Sequence, residues 1–248
     1  MKSLFHIHFF VPNMTQGVRE LELFYQEHLG FNVLARYGYV GNEHKTFSCD
    51  TSWDELETQS FRLLLVELER GAVNLVLMPS QFPSARMEHF GILLEELDYE
   101  HAFSVAKAKG LRYKRDPQRS FIYTPFGFAI ELQLIPQDRY AYSDEDFGEI
   151  RIESLVLGAK EPEQAASLLA ELLTLDLCHS QGNWHLNDDR CHLQIQSSEA
   201  RLVEMNLACS QEAAVKLTSW PELMTKKIAS FRDPFGVSLR IQSNRKLG

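Results

Sequence analysis

Apolar positions along the chain fall into short runs of two kinds, period-two strands and helical faces. Residues 4–11, LFHIHFFV, form a β-rich apolar run that Pro12 and Asn13 end. Thr15 is placed to cap a helix in which Val18, Leu21, Leu23, Phe24 and Leu29 make an apolar face and Gly30 is the stop. FNVLARYGYV at 31–40 reads as a strand, 41–59 as a polar stretch, and 61–68 and 72–79 as two further strands. The predicted order is β-α-β-β-β.

That order recurs. EHFGILLEE at 88–96 predicts a strand, Asp98 a helix cap, Gly110 its end, and LRYKR, SFIY and FAIELQLIP three more strands. VNLVLMP at 73–79 lies over IELQLIP at 130–136 with apolar positions and the closing proline in register. A polar, acidic stretch makes a linker at 138–149. A third unit follows, with Pro162 in the first turn of its helix and short strands near 175–181, 184–187 and 191–197. A fourth has its helix from about Gln211, and its DPFGVSLRI repeats TPFGFAIEL at an offset of 109 residues. The fold class predicted is α+β: four βαβββ units paired into two domains, 1–137 and 150–248.

Composition adds exclusions. Of 248 residues, 44% are hydrophobic and 24% charged, which excludes bulk disorder. A net charge of −9 with no basic stripe argues against nucleic acid as a partner. No apolar run is long enough for a membrane span. Four cysteines are too few for a disulfide scaffold at this length, so a reducing, cytoplasmic setting is expected, as monomer or homodimer.

The paired units, the strand-leading HIHFF, the helix ending in LGF and the closing TPFG before IEL resemble the vicinal-oxygen-chelate superfamily. It includes glyoxalase I, methylmalonyl-CoA epimerase, extradiol ring-cleaving dioxygenases and bleomycin- or fosfomycin-resistance proteins. The resemblance implies sheets curled around a cleft and ligands for one divalent metal ion from the first and last strands of each unit. Carried over, these are His6, His89 and Glu131, with Asn74 as a fourth ligand or substrate contact. Two imidazoles and one carboxylate suit Fe, Mn, Zn, Ni or Co alike. The repeat adds its own argument, because histidines at matching positions and a Glu between apolar neighbours are unusual unless the carboxylate is paired or binds metal.

His8 shares the face of His6 by strand alternation and is an alternative ligand, an orienting group or a substrate contact. Arg112 or its basic neighbours Arg115 and Arg119 could hold a substrate anion, and Tyr123 could donate a hydrogen bond. The polar insertion at 41–59 suggests a lid, with Trp53 and His44 as substrate contacts. In the second pair the equivalent positions read as Glu153, Gln194, Arg201 and Arg240, which hold no metal. CHSQGNWHLNDDRCH at 178–192 lacks zinc-clip spacing and reads equally well as a hairpin with Gly-Asn at its turn.

The implied activity is a metal-dependent lyase or isomerase acting on a small oxygen-bearing substrate through an enediolate-like intermediate. Glu131 or a cleft water would be its base, since an amide at Asn74 cannot serve. The alternatives are an extradiol dioxygenase using Fe(II) or Mn(II) and a non-enzymatic small-molecule or drug-binding protein. The position where a ring-cleaving enzyme would place tyrosine is Phe121.

Overall fold

Strand β1, Lys2–Val11, is buried along nearly its whole length. Ile7, Phe9 and Val11 enter the main core, which leaves His6 and His8 to the opposite face. The computed structural model describes residues 2–116, 119–135, 149–217 and 228–244. The expected linker at 138–149 lies almost wholly outside them.

The first unit continues with α1 (Met14–Leu29), β2 (Asn32–Val40), β3 (Glu43–Phe47), α2 (Trp53–Thr58), β4 (Phe61–Arg70) and β5 (Val73–Pro79). The second comprises β6 (Arg86–Leu94), α3 (Glu96–Ala108), β7 (Tyr113–Lys114), β8 (Ser120–Tyr123) and β9 (Ala129–Leu134). Together they form one nine-stranded sheet in the order β3-β2-β4-β5-β1-β6-β9-β8-β7. The halves join where β1 pairs antiparallel with β6, and each outer partner, β5 and β9, runs parallel to its unit's first strand.

The third unit is β10 (Ile150–Ala159), α4 (Pro162–Leu173), β11 (Asp176–Ser180), β12 (Asn183–Asn187) and β13 (His192–Ser197). The fourth contributes β14 (Leu202–Ser210), α5 (Gln211–Lys216), β15 (Ile228–Arg232) and β16 (Ser238–Asn244). They form a seven-stranded sheet, β11-β12-β13-β10-β14-β16-β15, built about β10 and β14 as the first is about β1 and β6. One continuous apolar core spans both sheets. They are also tied by Ala72 N–H to the Ile150 carbonyl at 2.8 Å and by Lys2, which lies 3.4 Å from both Asp98 and Asp188.

Several boundaries differ from the sequence expectation. Helix α1 starts at Met14 rather than after Thr15, because Asn13 takes a left-handed conformation (φ 61°) and turns the chain directly off β1. Helix α3 starts at Glu96, so Asp98 lies in its first turn, where its charge favours the helix N-terminus. The 181–182 turn has positive φ at Gln181 and Gly182, one residue before the expected Gly-Asn. The polar stretch 41–59 contains β3 and α2, the latter opened by a reciprocal capping box between Ser52 and Glu55.

Candidate metal centre

Strand pairing builds the cleft. β1 sets His6 opposite Asn74 on β5 and His8 opposite His89 on β6, and β9 sets Glu131 opposite Gly91. Gly91 keeps the strands close, since a Cβ there would fall 2.6 Å from the His6 Cβ. The predicted ligands His6, His89 and Glu131 are all buried and come together.

His6 Nε2 lies 2.9 Å from His89 Nε2, His89 Nε2 lies 3.0 Å from Glu131 Oε2, and His6 Nε2 lies 3.9 Å from the same oxygen. Donors about 2.1 Å from one ion in adjacent positions stand about 3 Å apart, so the spacing suits a single divalent ion. The other ring nitrogens are held from behind. The Asn74 amide is oriented by donating to Glu67 at 2.9 Å, and its oxygen accepts from His6 Nδ1 at 2.5 Å. His89 Nδ1 donates to the Glu88 carboxylate. His6 thus presents its Nε2 lone pair to the spot the carboxylate faces, and a cation there would displace the proton through which His89 Nε2 now donates to Glu131. This is the test the residues pass for a metal.

The electrostatics separate the two imidazoles. Burial, then the neighbouring His89, pushes His6 down to about 3, so its imidazole is neutral. Burial and the same neighbour push His8 down to about 3. Burial would lower His89 too, but hydrogen bonds to Glu131 and Glu88 outweigh it and raise it. Burial would raise Glu131, but His89, His6 and Arg119 hold it well below the ordinary range.

His8 is a third imidazole at the same place. His6, His8 and His89 offer ligand atoms all within 4.8 Å of one another, a cluster that could hold a single ion. The buried His8 Nε2 has no hydrogen-bond partner among the described residues.

Sequence reasoning offered Arg119 for a substrate anion and missed that it grips the Glu131 carboxylate together with Gln133. Arg119 forks onto Glu131 from Nε at 3.2 Å and Nη2 at 2.8 Å, and Gln133 donates to Oε1 at 2.6 Å. Glu67 also faces the cleft, accepting from the Tyr37 hydroxyl at 3.3 Å. The cleft holds about 460 Å³ between these groups, Phe5, Leu65 and His44.

Other candidates fall elsewhere. Trp53 leaves the cleft for the outer side of α1, donating to Glu22 at 3.1 Å beneath the Arg36 guanidinium. The 51–53 end of the insertion is pinned there, with the Thr51 carbonyl accepting from Arg36 at 2.8 Å beside the buried Arg36–Glu22 pair, while its strand β3 brings the predicted contact His44 to the cleft. Arg112 stacks on the Tyr123 ring at 3.8 Å, and Phe121 lies between that ring and His89. Arg115 pairs with Glu100 on the surface.

In the second sheet the expected equivalents Glu153, Gln194 and Arg201 are displaced. A register shift between Ile152 and Ser154, matching the one between Leu4 and His6, makes Ser154 the counterpart of His6. The same ladders make His192 the counterpart of Asn74, Glu204 of His89 and Arg240 of Glu131. Serine and arginine thus stand where the first sheet has the candidate ligands His6 and Glu131. Among the described residues the Cys-His hairpin gathers no ligating group of three. No helix among them is long and apolar enough to cross a membrane.

No family model matches the chain, and no curated protein matches it. Solved structures do. The 2,3-dioxygenase LapB from Pseudomonas sp. KL28 is 14% identical, over 98% of this chain and 92% of that one, with a TM-score of 0.61. The Mn(II)-bound glyoxalase from Novosphingobium aromaticivorans is 11% identical over 97% and 81%, with a TM-score of 0.63. The 2,2',3-trihydroxybiphenyl 1,2-dioxygenase of Sphingomonas wittichii is 10% identical over 98% and 90%, with a TM-score of 0.64. Two sheets of paired units, with three convergent donors in one of them, share the fold of these dioxygenase and glyoxalase structures.

Proposed function

We propose that the chain is a divalent-metal-dependent enzyme acting on a small substrate through two neighbouring oxygens, with His6, His89 and Glu131 as the ligands. The observation that carries this reading is the convergence of the two Nε2 atoms and Glu131 Oε2 at distances of 2.9, 3.0 and 3.9 Å. When bound, the ion supplies Lewis-acid polarisation of the substrate oxygens.

The chain's own residues do the rest. Asn74 and Glu88 fix the imidazole tautomers. His8 is an alternative ligand or a wall against the substrate. Glu131, gripped by Arg119, Gln133 and His89, is a weak proton acceptor. Glu67, which faces the same cleft and accepts from the Asn74 amide and the Tyr37 hydroxyl, is the base assigned. The reaction assigned is proton removal beside a substrate carbonyl by Glu67, followed by isomerisation or elimination.

Extradiol ring cleavage is the second reading. Two imidazoles and a carboxylate with open positions favour it, as do the dioxygenases that share the fold. Against it, the Phe121 ring meets His89 edge-on with centroids 5.1 Å apart and offers no proton.

Elemental analysis of protein purified without chelators, then assays on the loaded protein, test the proposal. Stoichiometric Fe, Mn, Zn, Ni or Co, with solvent-proton exchange into 2-hydroxyketones or hemithioacetals lost in Glu67→Gln, supports the first reading. Oxygen uptake with catechols on Fe(II) loading supports the second. No metal taken up leaves only a binding protein and overturns both.

A further inference from the structure

A larger cavity, about 780 Å³, lies where the two sheets meet, lined by residues outside the histidine cleft. The same pieces of the repeat wall it twice. Ala85-Arg86 opens β6 and Ala200-Arg201 leads into β14, while the turns at 125–127 and 235–237 close the sides. The ladders make the arginines equivalent, since Met87 pairs with Phe9 as Leu202 pairs with Leu157, just past matching register shifts.

Two guanidinium groups of the same origin thus reach one cavity. Among the described residues neither has a carboxylate partner at ion-pair distance. Arg86 Nε is buried without a hydrogen-bond partner, and its guanidinium lies over the Phe82 ring at 3.9 Å. Arg201 donates from Nη1 to the Met87 carbonyl at 3.2 Å. The rest of its fork lies against Gly127, where φ is +87° and a Cβ would come within 3.1 Å of Nη2. Of the acids nearby, Glu88 holds His89 and Glu199 lies 3.5 Å from Lys160, while Glu161 lines the cavity from the start of α4. Like charges left half-buried together are unfavourable unless an anion joins them. Burial and the neighbouring Arg86 hold Arg201 below its ordinary value.

We propose that this cavity binds a small multivalent oxyanion, a phosphate ester or a polycarboxylate, whose oxygens bridge Arg86 and Arg201. The forks suit bidentate contacts with either group. The site shares no residue with the metal cleft and stands independently of the proposed reaction.

Isothermal titration calorimetry of the full chain with pyrophosphate, and separately with citrate, at ionic strength fixed by sodium chloride, tests the proposal. Saturable one-site binding is expected, and the tighter of the two identifies the anion class. Arg86→Gln and Arg201→Gln should each weaken it about tenfold or more. Arg62→Ala, which removes a guanidinium stacked on Tyr39 outside the cavity, should leave it unchanged. Should the Arg201 variant fail to fold, Arg86→Gln decides alone, because its side chain makes no hydrogen bond among the described residues. No saturable binding of either anion, or equal binding by Arg86→Gln and the parent, overturns the proposal. Binding that survives Arg86→Gln but is lost in His89→Ala would put the anion on the metal and overturn it too.

Discussion

Replacing Arg119 with Gln should shift the metal-free and metal-bound states in opposite directions. Glu131 is 1% exposed, and Arg119 supplies two of its contacts, at 3.2 and 2.8 Å. Without metal, the variant strands a buried carboxylate with His89 and Gln133 as its remaining partners. Breaking a fully buried pair costs about 3–5 kcal/mol. Because the Arg119 side chain is 50% exposed, water can partly replace it, and about 2–3 kcal/mol is the fitting figure. For a chain of this length that is a fall in Tm of roughly 4–12 °C after chelator treatment. With metal the sign reverses. Arg119 Nη2 occupies the oxygen that faces the histidines, so its removal frees a ligand and takes a cation from the ion's side. Mn(II) or Zn(II) affinity, read by calorimetry, should rise about tenfold or more. An unchanged Tm in chelator-treated protein, or weaker metal binding, would refute this reasoning. Arg119 would then be a positioning group for Glu131 and not a competitor with the ion.

Asn74→Leu should lower metal affinity by about 10–100-fold, while Asn74→Asp/Glu67→Gln, which keeps an acceptor for His6 Nδ1 and restores an amide donor between the two side chains, should retain it; titration calorimetry separates the two. Arg36→Met leaves Glu22 buried and unpaired and should cost about 3–5 kcal/mol in urea unfolding, with Glu22→Leu/Arg36→Met recovering most of it. Asp233 is buried, and burial raises its carboxyl from 3.8 to about 6, so its neutral form is the one the fold favours. Its contribution is whole below about pH 4 and is lost as pH rises through 6, by on the order of 1–3 kcal/mol. In Asp233→Asn, whose amide oxygen still accepts from the backbone of Phe235 and Val237, urea midpoints should change less between pH 4 and 7.

How much of this was legible depends on what each signal measures. The repeat of VNLVLMP over IELQLIP reports strand register, and register decides which side chains share a face; it aligns Asn74 with Glu131, while the choice of His6, His89 and these two as site positions came from the resemblance to the vicinal-oxygen-chelate pattern. In the second half the same reasoning missed by one or more residues, because a register shift such as that between Ile152 and Ser154 leaves no mark on the apolar pattern. Arg119 and Gln133 were invisible as partners of Glu131 because their contacts cross β8 and β9. The hairpin register, which sets Phe121 opposite Glu131, would have suggested both, since Arg119 and Gln133 are each two residues removed on the same face. The Ser52-x-x-Glu55 capping box was readable and marks α2. That Trp53 would turn to Glu22 follows from a tertiary ion pair that no local pattern encodes.

The central claim is that His6, His89 and Glu131 hold one divalent ion. Anomalous diffraction from crystals grown with Mn(II) tests it most directly. The account predicts a single strong peak within ligand distance of His6 Nε2, His89 Nε2 and a Glu131 oxygen, with Arg119 withdrawn from the oxygen that faces the histidines. A peak elsewhere, or no peak with the Arg119–Glu131 pair intact, would contradict it.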